Sequence, residues 1–173
     1  GIVVTGVGMQ QMWAAQHCRF TEPNTFVTSG GLGTMGFEVP AALGAQVGRP
    51  DTTVWSVCGD GGFQMTMCDI ATAVECQADV KFAILNNNSL GLVHQLQELF
   101  FDEEYMASQY TANPDFVKIA EAYGIRGIRV TKKEEVVDAV QQAMETAGPV
   151  IVDFIVKEDE GLFPFIPNGQ SVK

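Results

Sequence analysis

Short, nearly continuous apolar runs alternate with amphipathic stretches along the whole chain. The runs, rich in β-branched residues, are Ile2–Thr5, Phe26–Thr28, Thr53–Cys58, Val80–Leu85, Gly127–Val130 and Val150–Val156. Runs of this length without strict polar alternation predict strands buried on both faces of a parallel sheet. Between them, apolar residues recur at helical spacing. Phe63, Met67, Ile70 and Val74 predict one stripe; Phe116, Ile119, Ala120 and Tyr123 predict a second; Val136, Val137, Val140 and Met144 predict a third.

Local signals punctuate these elements. Asn113-Pro114 reads as N-cap and first helical residue, with Gly124 closing that helix. Thr131 to Glu134 reads as a capping box, and Gly148-Pro149 stops the following helix. Strands alternating with helices predict an α/β fold: an open, mostly parallel six-stranded sheet with helices on both faces. Residues 1–173 read as one domain, with an extended surface tail over 157–173 carrying Pro164 and Pro167. The stretch Gln95–Thr111, with Asp102-Glu103-Glu104, is less regular and reads as a mobile loop. A chain whose first residues, Ile2-Val3-Val4, already form a strand reads as a piece of a longer protein.

Composition narrows the class. The 173 residues are 46% hydrophobic, which suits a packed core and argues against disorder. No apolar run approaches the roughly 18–20 residues of a membrane span, and no signal peptide is visible. The net charge of −11 argues against nucleic acid as a partner. These features predict a cytoplasmic protein. Cys18, Cys58, Cys68 and Cys76 show no CxxC spacing and read as reduced, mostly buried thiols.

Ligands of such sheets sit beyond the carboxyl ends of the strands. Three Gly- or Asn-rich segments lie there: Ser29 to Gly36, Gly59 to Gly62, and Asn86 to Ser89. If the strands before the last two are neighbours, Asp60 and Asn87 share a crevice. Their chemistry suits Mg²⁺, which takes hard oxygen ligands in an octahedron. Asp60 offers a carboxylate, Asn87 an amide oxygen and Ser89 a backbone carbonyl. From Phe20 to Val117 only Arg49 and Lys81 are cationic among the Lys and Arg residues. A phosphate bound near Asp60 must therefore be held by a metal and by backbone N–H groups at helix starts. Neither the P-loop pattern nor a full GxGxxG is present.

Gly59-Asp60-Gly61 followed by Asn86-Asn87 resembles the GDG…NN motif of thiamine-diphosphate enzymes. The segments TGVGMQQMWAAQH, TSGGLGTMGFEVPAALGAQV, GDGGFQMT, VKFAILNNNSLGLVHQ, NPDFVKIAEAYGI and FPFIPNGQSV are similar to the carboxyl-terminal domain of acetolactate synthase catalytic subunits. The resemblance implies that Asp60, Asn87 and the Ser89 carbonyl bind Mg²⁺, which anchors thiamine diphosphate. It implies backbone contacts from Gly61 and Gly62 to the diphosphate, with Gly8 and Gln10 near that end. Gly33, Thr34 and Met35 would lie at the thiamine, Met35 beneath its bend, and Gly91 joins the same cofactor set.

The implied reaction decarboxylates pyruvate and joins the two-carbon unit to a second 2-oxo acid. The resemblance also implies a longer three-domain enzyme, in which a glutamate on the pyrimidine-binding domain of a partner subunit activates the cofactor. No catalytic residue is assigned to this chain, and alone it is expected to be inactive. Two alternatives stay open: another thiamine-diphosphate decarboxylase or oxidase, and a stand-alone subunit pairing with a separate pyrimidine-binding chain. Departures from the family pattern are Met9-Gln10 in place of Gln-His, Leu96 in place of a channel Trp, and Glu38 in place of a glycine. Glu38 reads as an acid at a helix start, Met65 and Met67 as core, and His17 and His94 as locally hydrogen-bonded.

Overall fold

A computed structural model describes residues 1–158, 160–166 and 169–171. Six strands form one all-parallel sheet: β1 (Ile2–Thr5), β2 (Phe26–Thr28), β3 (Val54–Gly59), β4 (Val80–Asn86), β5 (Arg126–Val130) and β6 (Val150–Ile155). Their order is β2-β1-β3-β4-β6-β5. Every predicted strand is present, each bound within one residue of its expected place. The helices are α1 (Met9–His17), α2 (Glu38–Gly48), α3 (Asp60–Thr66), α4 (Ile70–Glu75), α5 (Gly91–Phe100), α6 (Phe116–Ala122) and α7 (Val136–Glu145).

Successive strand residues point to opposite faces of a sheet, and two cores result. On β6, Ile151 joins a cluster with Val39, Phe63, Ile70, Phe82 and Phe116, whereas Val150 and Val152 join Ala139 and Ala143. Helices α2, α3, α4 and α6 thus cover one face, and α7 covers the other. β1 leads through α1 leftward to β2, but the next crossover returns past β1 to β3. The right-handed rule puts those two connections on opposite faces. A crevice therefore opens between the carboxyl ends of β1 and β3.

Several local expectations are corrected. The stripe from Phe63 to Val74 is not one helix. The Thr66 hydroxyl donates to the Gly36 carbonyl (2.8 Å), α3 ends there, and a 3₁₀ turn over Met67–Asp69 re-aims the chain into α4. Met65, two positions and about 200° around the helix from Phe63, is 56% exposed and is not core. On α7 the buried face carries Ala139 and Ala143, while Val137 and Met144 are exposed. The small alanines let the helix approach the sheet, and 3.6-residue geometry turns Val137 and Met144 outward.

Asn113 is not an N-cap. Helix α6 begins at Phe116, and the Asp115 carboxylate accepts from the Val117 and Lys118 amides. Gly124, with φ +72°, follows its end as expected. The turn before α7 starts as a 3₁₀ helix, so Glu135 rather than Glu134 reaches back to accept from the Thr131 and Lys132 amides. Helix α5 runs to Phe100, so irregular backbone begins only at Phe101. Of the four cysteines only Cys58 is buried; Cys18, Cys68 and Cys76 are exposed because they sit near helix ends on outward-facing turns. The tail is irregular over 160–166, yet it is not all surface. Leu162 is 1% exposed, and its backbone exchanges two hydrogen bonds with the Gln95 amide. Pro167 lies outside the described residues.

Candidate functional site

Strands β3 and β4 are neighbours in register from Val54↔Val80 to Gly59↔Leu85. Their carboxyl ends place Asp60 and Asn87 on one cleft with an enclosed volume of about 90 Å³, open at its mouth. Helices α1, α3 and α5 all begin at this cleft, at Met9, Asp60 and Gly91. Helix starts carry unsatisfied N–H groups and a partial positive charge, so their convergence favours an anion. No Lys or Arg lines the cleft among the described residues.

Asp60 is the first residue of α3 and is 1% exposed. Its Oδ1 accepts from the Gly61 amide at 2.9 Å, and its Oδ2 accepts from Asn113 Nδ2 at 2.8 Å. Burial pushes its pKa up to about 6, and the hydrogen bonds from Asn113 and Gly61 oppose that rise. Asn87 and Ser89 are buried, and the Ser89 amide donates to Asn87 Oδ1 at 3.4 Å. Between them Asn88 adopts φ +56°, a left-handed conformation that Asn tolerates, which turns the chain sharply after β4.

The segment after α5 lies across this turn. The Tyr110 amide donates to the Asn88 carbonyl (2.9 Å), and the Leu90 amide to the Ser108 carbonyl (2.7 Å). Burial, reinforced by the Asp60 charge, pushes the Tyr110 hydroxyl above its usual pKa.

The cleft brings together most of the residues predicted from sequence. Gly8, Gln10, Met35, Asp60, Gly61, Gly62, Asn87, Ser89 and Gly91 all line it. Gly33 and Thr34 do not. They sit on the exposed turn after β2, where Gly33 has φ +67° and the Thr34 amide donates to Ser29 Oγ (3.0 Å). His94 turns away from the cleft and stacks on Tyr105 at 4.1 Å. Glu38 does open α2, as expected of an acid at a helix start, but it does not reach solvent. It is fully buried, with both carboxyl oxygens unpartnered, and burial pushes its pKa up to about 7.

The donor set fits a diphosphate carried on a hard cation. Gln10 Nε2 and Ser89 Oγ are buried in the cleft lining without hydrogen-bond partners, and buried polar atoms are rarely left so. Carboxylate, amide and carbonyl oxygens are available, whereas no cluster of three His, Cys, Asp or Glu side chains occurs among the described residues. That favours a cation which keeps part of its shell for water and phosphate over a zinc-type cage.

Sequence reasoning missed Gln64, one helical turn after Asp60 on α3, and Asn113 and Tyr110, which come from a segment about 50 residues further along the chain. Only the Asn-rich character of the neighbouring turn hinted that an amide network would be needed.

Residues 6–154 match the family model described as thiamine pyrophosphate enzyme, C-terminal TPP binding domain. The chain is 45% identical over 170 residues to the acetolactate synthase isozyme 2 large subunit of Escherichia coli, covering 98% of this chain and 31% of that protein. It is 44% identical to the mitochondrial acetolactate synthase catalytic subunit of Saccharomyces cerevisiae, covering 99% of this chain and 25% of that one. For the acetolactate synthase large subunit of Corynebacterium glutamicum the identity is 48%, covering 98% and 28%. The chain thus spans between a quarter and a third of the length of these relatives.

Proposed function

Since the chain belongs to the thiamine pyrophosphate enzyme family through its C-terminal TPP-binding domain, we propose that it is the part of an acetolactate synthase that grips the cofactor's diphosphate through Mg²⁺. The observation that carries this reading is the convergence of Asp60, Asn87 and Ser89 with the unpartnered Gln10 Nε2 on one cleft free of Lys and Arg. The whole-chain identity to acetolactate synthase subunits supports that enzyme over other users of the cofactor.

Each residue has a defined task. The Asp60 carboxylate, the Asn87 amide oxygen and the Ser89 carbonyl would hold Mg²⁺, leaving positions for diphosphate oxygens and water. The N–H groups of Gly61 and Gly62, at the start of α3, would donate to the diphosphate, and Gln10 Nε2 would add a neutral donor beside Gly8. Gly91 opens α5 close enough for its backbone to join them. Met35 gives the cleft an apolar wall suited to the thiamine, with Gly33 and Thr34 in the turn leading to it.

Bound thiamine diphosphate supplies a carbon nucleophile and an electron sink for 2-oxo acid decarboxylation. The substrates proposed are pyruvate and a second 2-oxo acid. The chain's own contribution would be to orient the cofactor and to compensate the charge of its diphosphate.

The proposal extends to organisation. The 173 residues form a single diphosphate-binding domain of a longer enzyme. The pyrimidine-binding domain of a partner subunit completes the site and brings the activating glutamate, so this chain alone makes no acetolactate. A cytoplasmic location is part of the same proposal, although the Saccharomyces relative bears a mitochondrial name. No helix among the described residues is long and apolar enough to cross a membrane.

Calorimetric titration with thiamine diphosphate, with and without Mg²⁺, tests the reading. Metal-dependent heat that disappears in Asp60→Ala is expected. Binding indifferent to Mg²⁺ overturns it, and acetolactate formation by the chain alone overturns its incompleteness.

A further inference from the structure

Asn113 stands at the centre of an amide cluster behind Asp60. Its Nδ2 faces three side-chain oxygens: Asp60 Oδ2 at 2.8 Å, Asn86 Oδ1 at 3.1 Å and Asn88 Oδ1 at 3.2 Å. Its Oδ1 accepts from Gln64 Nε2 at 2.8 Å. This arrangement fixes which end of the amide is nitrogen. Asp60 Oδ2 can only accept, Asn86 Oδ1 is set by its own Nδ2 bond to Asp153, and Gln64 Nε2 is set by its bond to the Asp60 carbonyl, so the nitrogen of Asn113 faces the first two and shares its two hydrogens among the three oxygens.

A closed ring of contacts holds Asn113 in turn. Asn86 Nδ2 donates to Asp153 Oδ1 (3.0 Å), and Arg129 Nε donates to Asp153 Oδ2 (3.1 Å). The Arg129 guanidinium also pairs with Asp115, the N-cap of α6. From Asp115 the chain returns to Asn113 through Pro114, whose ring restricts the backbone between them. Asp153 is fully buried and Asn86 nearly so. The Asn86–Asp153 bond is the buried part of this ring and the Arg129–Asp115 pair is its surface-exposed part, so most of the stiffness comes from the buried bond.

We propose that Asn113 is the positioning residue of the metal site: through the bond to Oδ2 it fixes the rotation of the Asp60 carboxylate, and the ring through Asn86, Asp153, Arg129 and Asp115 fixes Asn113. This rests on reading Asp60 as a Mg²⁺ ligand. A carboxylate oxygen has two lone-pair directions. The Gly61 amide donates to Oδ1 and Asn113 to Oδ2, so the two oxygens are held from different sides and the plane of the carboxylate is set. Mg²⁺ tolerates little departure from octahedral geometry. A carboxylate free to turn into the amide cluster would be a poorer ligand even with the fold intact.

The test is a Mg²⁺ titration of thiamine diphosphate binding to the intact chain, comparing wild type, Asn113→Ala, Gln64→Ala and the double variant. Loss of an outer partner of a metal ligand typically weakens metal affinity by about 10–100-fold. Asn113→Ala is expected to raise the half-saturating Mg²⁺ concentration by about that factor. Saturating Mg²⁺ should restore both cofactor affinity and one-to-one stoichiometry. A merely structural defect would instead reduce the bound fraction at every Mg²⁺ concentration, and that outcome overturns the proposal.

Gln64→Ala should shift the midpoint in the same direction by less, and should add nothing to Asn113→Ala. Additive effects count against the chain of positioning, and if Asn113→Ala does not fold, Gln64→Ala alone decides it. An unchanged midpoint in the variants beside a Mg²⁺-dependent wild type defeats this inference alone. A wild type that shows no Mg²⁺-dependent binding defeats the functional reading and this inference with it.

Discussion

The carboxyl group of Glu38 occupies the space that a side chain on Gly62 would need. The nearest atom to a Cβ built on Gly62 is Glu38 Oε1, and for Gly6 it is Glu38 Oε2, both too close to coexist. Three elements meet here: the loop after β1, the start of α2 and the first turn of α3. Two of them carry backbone proposed to lie near the diphosphate. The glycines at 6 and 62 are therefore explained by one buried acid rather than by backbone conformation, since neither has a positive φ.

This interlock predicts a specific coupling. Gly62→Ala keeps a backbone that alanine accepts, so its cost must come from Glu38. Overpacking of this kind costs about 1–3 kcal/mol. Glu38→Ala in the Gly62→Ala background should recover most of that loss. A double-mutant cycle by urea denaturation would show a coupling of about 1 kcal/mol or more. Strict additivity would remove Glu38 as the cause.

The same acid makes stability depend on pH. Burial raises the Glu38 pKa from 4.5 to about 7 in the folded chain. Its surroundings offer no compensating charge: the neighbouring ionisable group is the buried Cys58 thiol, itself pushed upward by burial and then by Glu38. The Ser56 hydroxyl donates to the Glu38 backbone carbonyl rather than to the carboxyl, and the Glu38 and Gly36 amides oppose the rise only in part. Between pH 4.5 and 7 the folded state holds a proton that the unfolded state has released, so unfolding free energy falls as pH rises through that window. The full loss is on the order of 3 kcal/mol. Glu38→Gln should flatten this part of the profile, measured as the wild-type minus variant difference across the window. Parallel profiles would refute it.

Phe63 links core to site. It is fully buried three residues after Asp60, with edge-on contacts to Phe82 (6.1 Å between centroids) and Phe116 (5.6 Å). Phe63→Ala should cost about 3–5 kcal/mol. Because Phe63 anchors the helix that carries Asp60, the variant should also bind Mg²⁺ and cofactor more weakly, while Phe63→Leu keeps most of both. Denaturation and calorimetry on the two variants check this together.

The parts legible in the sequence were those governed by local pattern. Continuous apolar runs located all six strands, and the rule that ligands sit at strand ends pointed to the cleft that Asp60 and Asn87 line. The parts that escaped depend on distant residues. Thr66 ends α3 because its hydroxyl finds Gly36, 30 positions back. Asn113 looked like a cap because Pro114 follows it, yet Asp115 offered a better cap, and Asn113 was drawn to Asp60, 53 positions away. Glu38 carried the ordinary signature of a helix-start acid. Only the packing of Gly6 and Gly62 against it reveals a buried one.

Gly61 couples α3 to the strap that crosses the metal-proposed turn. A Cβ on Gly61 would meet Leu90 Cδ2 at 2.7 Å and would approach the Tyr110 hydroxyl more closely still. Leu90 and Tyr110 belong to the two segments joined by the amide bonds at Asn88 and Ser108. Gly61→Ala must therefore displace the Tyr110 and Leu90 side chains that hold the strap and the turn against α3, loosening the turn that carries Ser89. The expected result is a loss of about 1–3 kcal/mol in stability together with weaker Mg²⁺-dependent cofactor binding. Tyr110→Phe removes the oxygen at the closest approach, so the Gly61→Ala/Tyr110→Phe pair should recover part of both losses, with Leu90 retaining the rest. Calorimetry of the single and double variants measures that recovery. Cofactor binding in Gly61→Ala equal to wild type would mean that the strap does not hold the turn in place.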